Sequence, residues 1–153
     1  MRGLDVQVLH PVVCVIDALH RDLTVADDVR RGRFTHAGVS LDLGRHPDWL
    51  HGGLADDEEW RIEWVKLYEG LDLGHAFGVT RDTDHLDAWQ DLVEAFLDQV
   101  PVGHDTSDVS ARRVQNWIYS LTAVVDHRAA HVSPVAPDFL RRMLQSLHEQ
   151  VEF

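Results

Sequence analysis

The chain is short of most of the residues that mark specialised protein classes. It has one cysteine, Cys14, set in the apolar run Val12-Val13-Cys14-Val15-Ile16. A single thiol excludes an intrachain disulfide and any Cys-pair metal motif, and its neighbours suit a buried, inert side chain in a reducing compartment. Positive charge is scarce: 14 Lys plus Arg face 26 Asp plus Glu, for a net charge of -12, and Lys66 is the lone lysine. That balance opposes unassisted attraction to phosphate backbones or anionic lipid, so neither nucleic acid nor a membrane is an expected partner. No apolar run reaches the roughly 18 residues of a membrane span. Met1-Arg2-Gly3-Leu4-Asp5 opens no secretory signal, because Asp5, His10 and Asp17 interrupt the apolar stretch. The expected location is cytoplasmic.

What remains is an ordinary folding chain of 153 residues, 44% hydrophobic and 26% charged. A chain of that length buries roughly 70% of its unfolded surface, and a single helical domain over residues 1–153 is expected. Apolar spacing is helical nearly throughout. Trp60, Trp64, Leu67, Leu71 and Phe77 follow steps of three, four or seven, which predicts one long helix over residues 56–77 with acidic residues 56–59 at its start. Gly78 is expected to stop it, and Asp82-Thr83-Asp84 to cap a second amphipathic helix carrying Leu86, Trp89, Leu92, Val93, Phe96 and Leu97. A turn this short implies an antiparallel pair. Pro101, Gly103 and residues 104–108 form a loop before a helix with Val109, Val114, Trp117, Ile118, Leu121 and Val124, and a last amphipathic segment carries Phe139, Leu140, Met143, Leu144 and Leu147. Upstream, residues 6–23 read as a helix flawed by Pro11. Residues 31–49, with Gly32, Gly38, Gly44 and Pro47, read as a short hairpin or irregular loop. The fold class is therefore mainly all-α.

Candidate chemistry is thin. Asp126, His127 and His131 share one helical side, but two histidines without a following Glu or further ligands fall short of a zinc site. Asp82-Thr83-Asp84 resembles the start of a calcium loop, yet Asp87 stands where that loop needs glycine, and capping explains the residues better. No serine has a nucleophile-elbow frame, and no glycine cluster has the lysine of a phosphate loop. No catalytic residue, metal or cofactor is assigned. Among the five tryptophans, Trp60, Trp64, Trp89 and Trp117 have core spacing, whereas Trp49, beside His46, Asp48 and His51, is the candidate for an exposed ring that meets a sugar face. Arg113, Asn116 and Ser120 form a polar stripe suited to a cleft wall, with an arginine fork that matches a carboxylate or sulfate; Arg113 pairing with a surplus carboxylate is the plainer alternative.

The order of Arg31-Gly32-Arg33-Phe34, Pro47-Asp48-Trp49, Glu59-Trp60-Arg61-Ile62-Glu63-Trp64, Gly70-Leu71-Asp72-Leu73-Gly74-His75-Ala76-Phe77 and Arg113-Val114-Gln115-Asn116-Trp117-Ile118 resembles the N-terminal region of heparinase II/III-like polysaccharide lyases, from about Gly32 onward. The resemblance implies an incomplete toroid of antiparallel helix pairs, followed in relatives by a β-sandwich. It also implies β-elimination on a uronate-containing acidic polysaccharide or oligosaccharide, carried out in relatives by Asn, Tyr and His. Those catalytic motifs are not in this sequence: Asn116 belongs to an earlier segment, and Tyr68 and Tyr119 match no catalytic tyrosine. The carry-over is limited to substrate-binding candidates, namely Arg113, Asn116, Lys66 and Trp64. Relatives often carry an acidic residue four positions before that arginine, where this chain has Val109 and a displaced Asp108. The expectation is a truncated or separately encoded toroid segment, inactive alone, whose partner is an acidic glycan or the remainder of a split lyase. The net charge favours a uronate polymer of low charge over a densely sulfated one. A free-standing helical array that binds a protein is the alternative.

Overall fold

A computed structural model of the chain describes residues 21–125 and 135–152. In chain order these form α1 (Leu23–Arg30), β1 (Arg33–His36), β2 (Val39–Asp42), α2 (Glu58–Val65), α3 (Tyr68–Thr80), α4 (Thr83–Gln99), α5 (Ser107–Val124) and α6 (Pro137–Glu152). The described residues are thus mainly helical, with one small hairpin. The stretch 6–20 and the residues Asp126, His127 and His131 lie outside them. None of the described helices is long and apolar enough to cross a membrane.

Local chemistry accounts for most boundaries. Asp57 accepts from the Trp60 backbone N–H at 2.7 Å and starts α2, with Glu58 and Glu59 in the favourable first turn. Asp82 accepts from the Asp84 N–H at 3.0 Å and starts α4, the capping role expected of that tripeptide. Asp22 accepts from the Thr24 N–H at 2.8 Å and starts α1, a helix the apolar spacing did not reveal. The hairpin turns through Ala37 and Gly38, with φ of 47° and 78°; both left-handed values suit a two-residue primed turn, and Phe34 pairs with Leu41 across it.

Two expectations about the 56–80 stretch are corrected. The single long helix is two helices, broken at Lys66 and Leu67, where Leu67 adopts φ 58°. Gly78 does not stop the second one. It lies inside α3, which closes at a left-handed Arg81, and a Cβ added at Gly78 would stand 3.3 Å from the Ala123 carbonyl oxygen. Gly78 eases a close approach, and glycine is required more strictly at Gly74, where a Cβ would meet the Ser120 carbonyl oxygen at 2.9 Å.

These approaches fix the layering. Going along the chain, Lys66 meets Asn116, Gly74 meets Ser120 and Gly78 meets Ala123, so α5 runs parallel to the α2–α3 segment. Trp89 meets Phe139, with ring centroids 5.4 Å apart, and Asp98 meets Arg142 at 2.5 Å, so α6 runs parallel to α4. Within each pair the sense reverses: Thr80 faces His85 near the α3–α4 turn while Gly70 faces Trp89 far from it, and Arg113 at the start of α5 reaches Gln150 at the end of α6. Two helical hairpins are stacked, with α3 and α5 in one layer and α4 and α6 in the other.

The core is aromatic at the hairpin end. Trp49 stacks on Trp64 with centroids 4.1 Å apart, Phe34 meets Trp64 edge-on at 4.8 Å, Trp49 meets Phe96 at 5.1 Å, and Phe96 meets Trp117 at 5.5 Å. Trp60, Trp64, Trp89 and Trp117 are fully buried, as their spacing predicts. Trp49 is a correction. It is 1% exposed rather than an open platform, because Gln99 at the end of α4 clamps its loop: Gln99 Oε1 accepts from the Trp49 N–H at 2.9 Å, and Gln99 Nε2 donates to the Pro47 carbonyl at 3.0 Å.

Candidate functional site

The break between α2 and α3 gathers the residues singled out by the sequence. A helix continuing through Val65 and Lys66 would bond their carbonyls to the backbone N–H groups four residues on. Here Arg113 Nη1 donates to the Val65 carbonyl at 2.9 Å, and Asn116 Nδ2 donates to the Lys66 carbonyl at 2.8 Å. Two side chains of α5 thus take over two backbone acceptors, and the chain can turn through Leu67, whose side chain is fully buried.

Arg113 is the hub of this corner. Its guanidinium also donates to Asp105 Oδ2 at 2.6 Å, to Gln150 Oε1 at 2.8 Å and to Ser110 Oγ at 3.2 Å, and it lies 4.7 Å over the Phe96 ring. Burial pulls its pKa below the usual arginine value, and Asp105 opposes the shift. A guanidinium stays charged at neutral pH even so. Every side of the fork is used within the chain.

Of the four substrate-binding candidates, Arg113, Asn116 and Trp64 are therefore interior residues, exposed by 1%, 2% and 0%. They build the corner instead of facing an open cleft, because the carbonyls freed by the helix break need donors. Lys66 lies outermost. Its side chain is 19% exposed, and its Nζ donates to Glu63 Oε1 at 2.6 Å. The structure brings all four together around one turn and leaves Lys66 alone among them with charge near the surface. An open groove of about 480 Å³ runs between Leu97, Val100 and Pro101 on one side and Arg141, Arg142 and Glu149 of α6 on the other. A second, of about 580 Å³, is bordered by Arg45, Asp87, Asp91 and Glu94. Neither is lined by the four candidates.

Next to Trp64 and Glu63 stands a cluster that sequence reasoning missed. His36 at the end of β1 forms a buried ion pair with Glu69 in the first turn of α3. The two side chains are 10% and 4% exposed, and the imidazole is walled by the edges of Trp60 and Trp64 at 5.3 and 6.3 Å. Asp72, one turn further along α3, accepts from Arg21 Nη1 at 2.5 Å. Burial pushes the Asp72 carboxyl up to about 6, with Arg21 pulling the other way and Glu69 adding to the rise. Burial also pulls the His36 imidazole down, but the hydrogen bond and charge of Glu69, with Glu63 and Asp72 behind it, outweigh this and leave it above its ordinary value. The available sequence signal was a pair of acids three apart on a helix otherwise rich in Leu and Gly. Among the described residues no group of three or more His, Cys, Asp or Glu is arranged to hold a metal ion.

Protein-family models, curated proteins and solved structures were each compared with the chain, and none matches it.

Proposed function

We propose that the chain is the N-terminal toroid segment of a heparinase II/III-like polysaccharide lyase, forming part of the scaffold around a uronate-containing polysaccharide and carrying no complete catalytic set of its own. The observation that supports this reading is the stacking of α3–α4 on α5–α6 with like helices parallel in two layers, the repeating unit from which a toroid of helix pairs is built. The motifs that carry the resemblance add to it. Phe34, Trp49, Trp60, Trp64 and Arg113 come from four separate motifs and share one packed corner. Under this reading Arg113, Asn116 and Trp64 are positioning residues that hold the corner, and Lys66 is the group that meets a uronate carboxylate.

Titration of the chain with hexasaccharides of hyaluronan, alginate and polygalacturonate tests the proposal. Saturable binding of at least one of them is expected, weakened several-fold in Lys66→Ala, without any rise in unsaturated-uronate absorbance. Product formation by the chain alone, or no binding of any of the three, overturns it. The stacked hairpins equally suit a free-standing helical array that binds a protein. That second reading takes over if a defined protein partner binds tightly and no uronate oligosaccharide does.

A further inference from the structure

The β1–β2 hairpin meets the helices through its Phe34–Leu41 pair, which packs on the core, and through its turn end. Its Phe34 packs on Trp64, the Trp60 indole Nε1 donates to the Val39 carbonyl at 3.1 Å, and His36, the last residue of β1, reaches Glu69. The pair is unusually dependent on a single proton. Among the described residues the His36 ring is the one charged partner of Glu69, and no other donor meets either oxygen of a carboxylate that is 4% exposed. A buried charge that loses its only partner is strongly unfavourable, whereas a paired one is tolerated.

We propose that the His36–Glu69 pair is a proton-operated latch, which keeps the β1–β2 hairpin docked on the α2–α3 corner while the imidazolium is present and releases it when that proton is lost. The groups facing the pair set the direction. From α3 come Glu69 and Asp72, from α2 comes Glu63, itself tied to Lys66, and ahead of α1 stands Arg21, bonded to Asp72. His75 on α3 is held below its ordinary pKa by burial and by Arg21, so it contributes no competing charge near neutrality. The acids outnumber the cations that reach His36, and the charged imidazole is the favoured form. A histidine raised in the folded state contributes stability that is complete below its unfolded value near 6.5 and disappears as pH rises through the raised folded value. The latch therefore opens on the alkaline side.

The test is amide hydrogen exchange by NMR across pH 6 to 9, on the β1–β2 ladder and on α4 as an internal reference, with His36 titrated through its imidazole carbon signal. Exchange of the ladder, corrected for its intrinsic pH dependence, is expected to accelerate at least tenfold as His36 deprotonates, while α4 stays protected. In His36→Gln the ladder is expected to exchange fast at every pH. Glu69→Gln, which removes the buried charge, is expected to abolish the pH step and to bring the His36 titration below its ordinary value. A ladder whose protection does not follow the His36 titration, or a step that persists in Glu69→Gln, overturns the latch. If His36→Gln does not fold, the Glu69→Gln result decides.

Discussion

Arg113 donates to the backbone carbonyl of Val65 at 2.9 Å, across 48 residues of sequence, and so converts what would be one helix into α2 and α3. The bond ties the start of α5 to the end of α2, while the other donors of the same fork hold the loop residue Asp105 and the α6 residue Gln150. Arg113→Met is expected to destabilise the protein by about 3–5 kcal/mol, the range for breaking a buried ion pair from one side, because Asp105 is left 12% exposed without its partner. Arg113→Lys recovers little, since one ammonium cannot serve acceptors on three sides. Urea denaturation of the two variants measures the difference, and near-native stability of Arg113→Lys would show that charge alone suffices.

The seam between α3 and α5 gives a graded test of close packing. Gly74→Ala places a methyl 2.9 Å from the Ser120 carbonyl oxygen, which is backbone and cannot swing aside, and a loss of about 1–3 kcal/mol is expected. At Gly78 the corresponding distance is 3.3 Å, and the roughly 1 kcal/mol gained by replacing glycine with alanine in a helix offsets the crowding. Thermal melts of the two variants should separate clearly, and equal melting temperatures would dismiss the seam as the cause.

The hairpin turn is imperfect at one position. Ala37 holds φ at 47°, a left-handed value that asparagine tolerates better than alanine, ahead of Gly38 at 78°. Ala37→Asn is expected to stabilise the protein by about 0.5–1 kcal/mol. A lower denaturation midpoint for the variant would contradict the assigned turn.

Asp72 carries a pH dependence of definite sign. Its carboxyl binds a proton more tightly folded than unfolded, at about 6 against an ordinary 3.8, so its contribution favours folding at acidic pH and fades as pH rises between those values. The full effect is at most about 3 kcal/mol, and the bond to Arg21 retained by an amide oxygen is weaker than the one it replaces. Asp72→Asn should therefore be more stable than the parent by roughly 1–2 kcal/mol at pH 7 and lose that advantage near pH 4. Denaturant titrations of both proteins at the two pH values give the difference directly, and an advantage that grows on acidification would reverse the assigned sign.

What the sequence discloses follows from the range of each interaction. The amphipathic stripes of α4, α5 and α6 are readable because helical spacing repeats within a few residues, and Asp82 is readable as a cap because the Asp84 N–H that donates to it lies two residues away. The end of α2 is not, since the donors that capture Val65 and Lys66 sit about fifty residues downstream. Trp49 likewise looks like a loop residue until Gln99 folds its loop onto α4. Arg113 and Asn116 stand on the polar stripe that spacing indicates, but a stripe does not say whether it meets solvent or backbone carbonyls. The resemblance points to the same corner, and the roles its residues take within the chain are structural.

Gly70, Gly74 and Gly78 bear on the order in which the chain folds. Each glycine lowers the intrinsic helicity of α3 by roughly 1 kcal/mol relative to alanine, in a helix of 13 residues that is already short for independent existence. Such a segment cannot seed structure. The steps that place its glycines against Ser120 and Ala123 close a loop of some fifty residues, a slow kind of contact to form. α3 is thus expected to form late, against an α5 already in place, with the longer helices α4 and α5 as the segments from which folding starts.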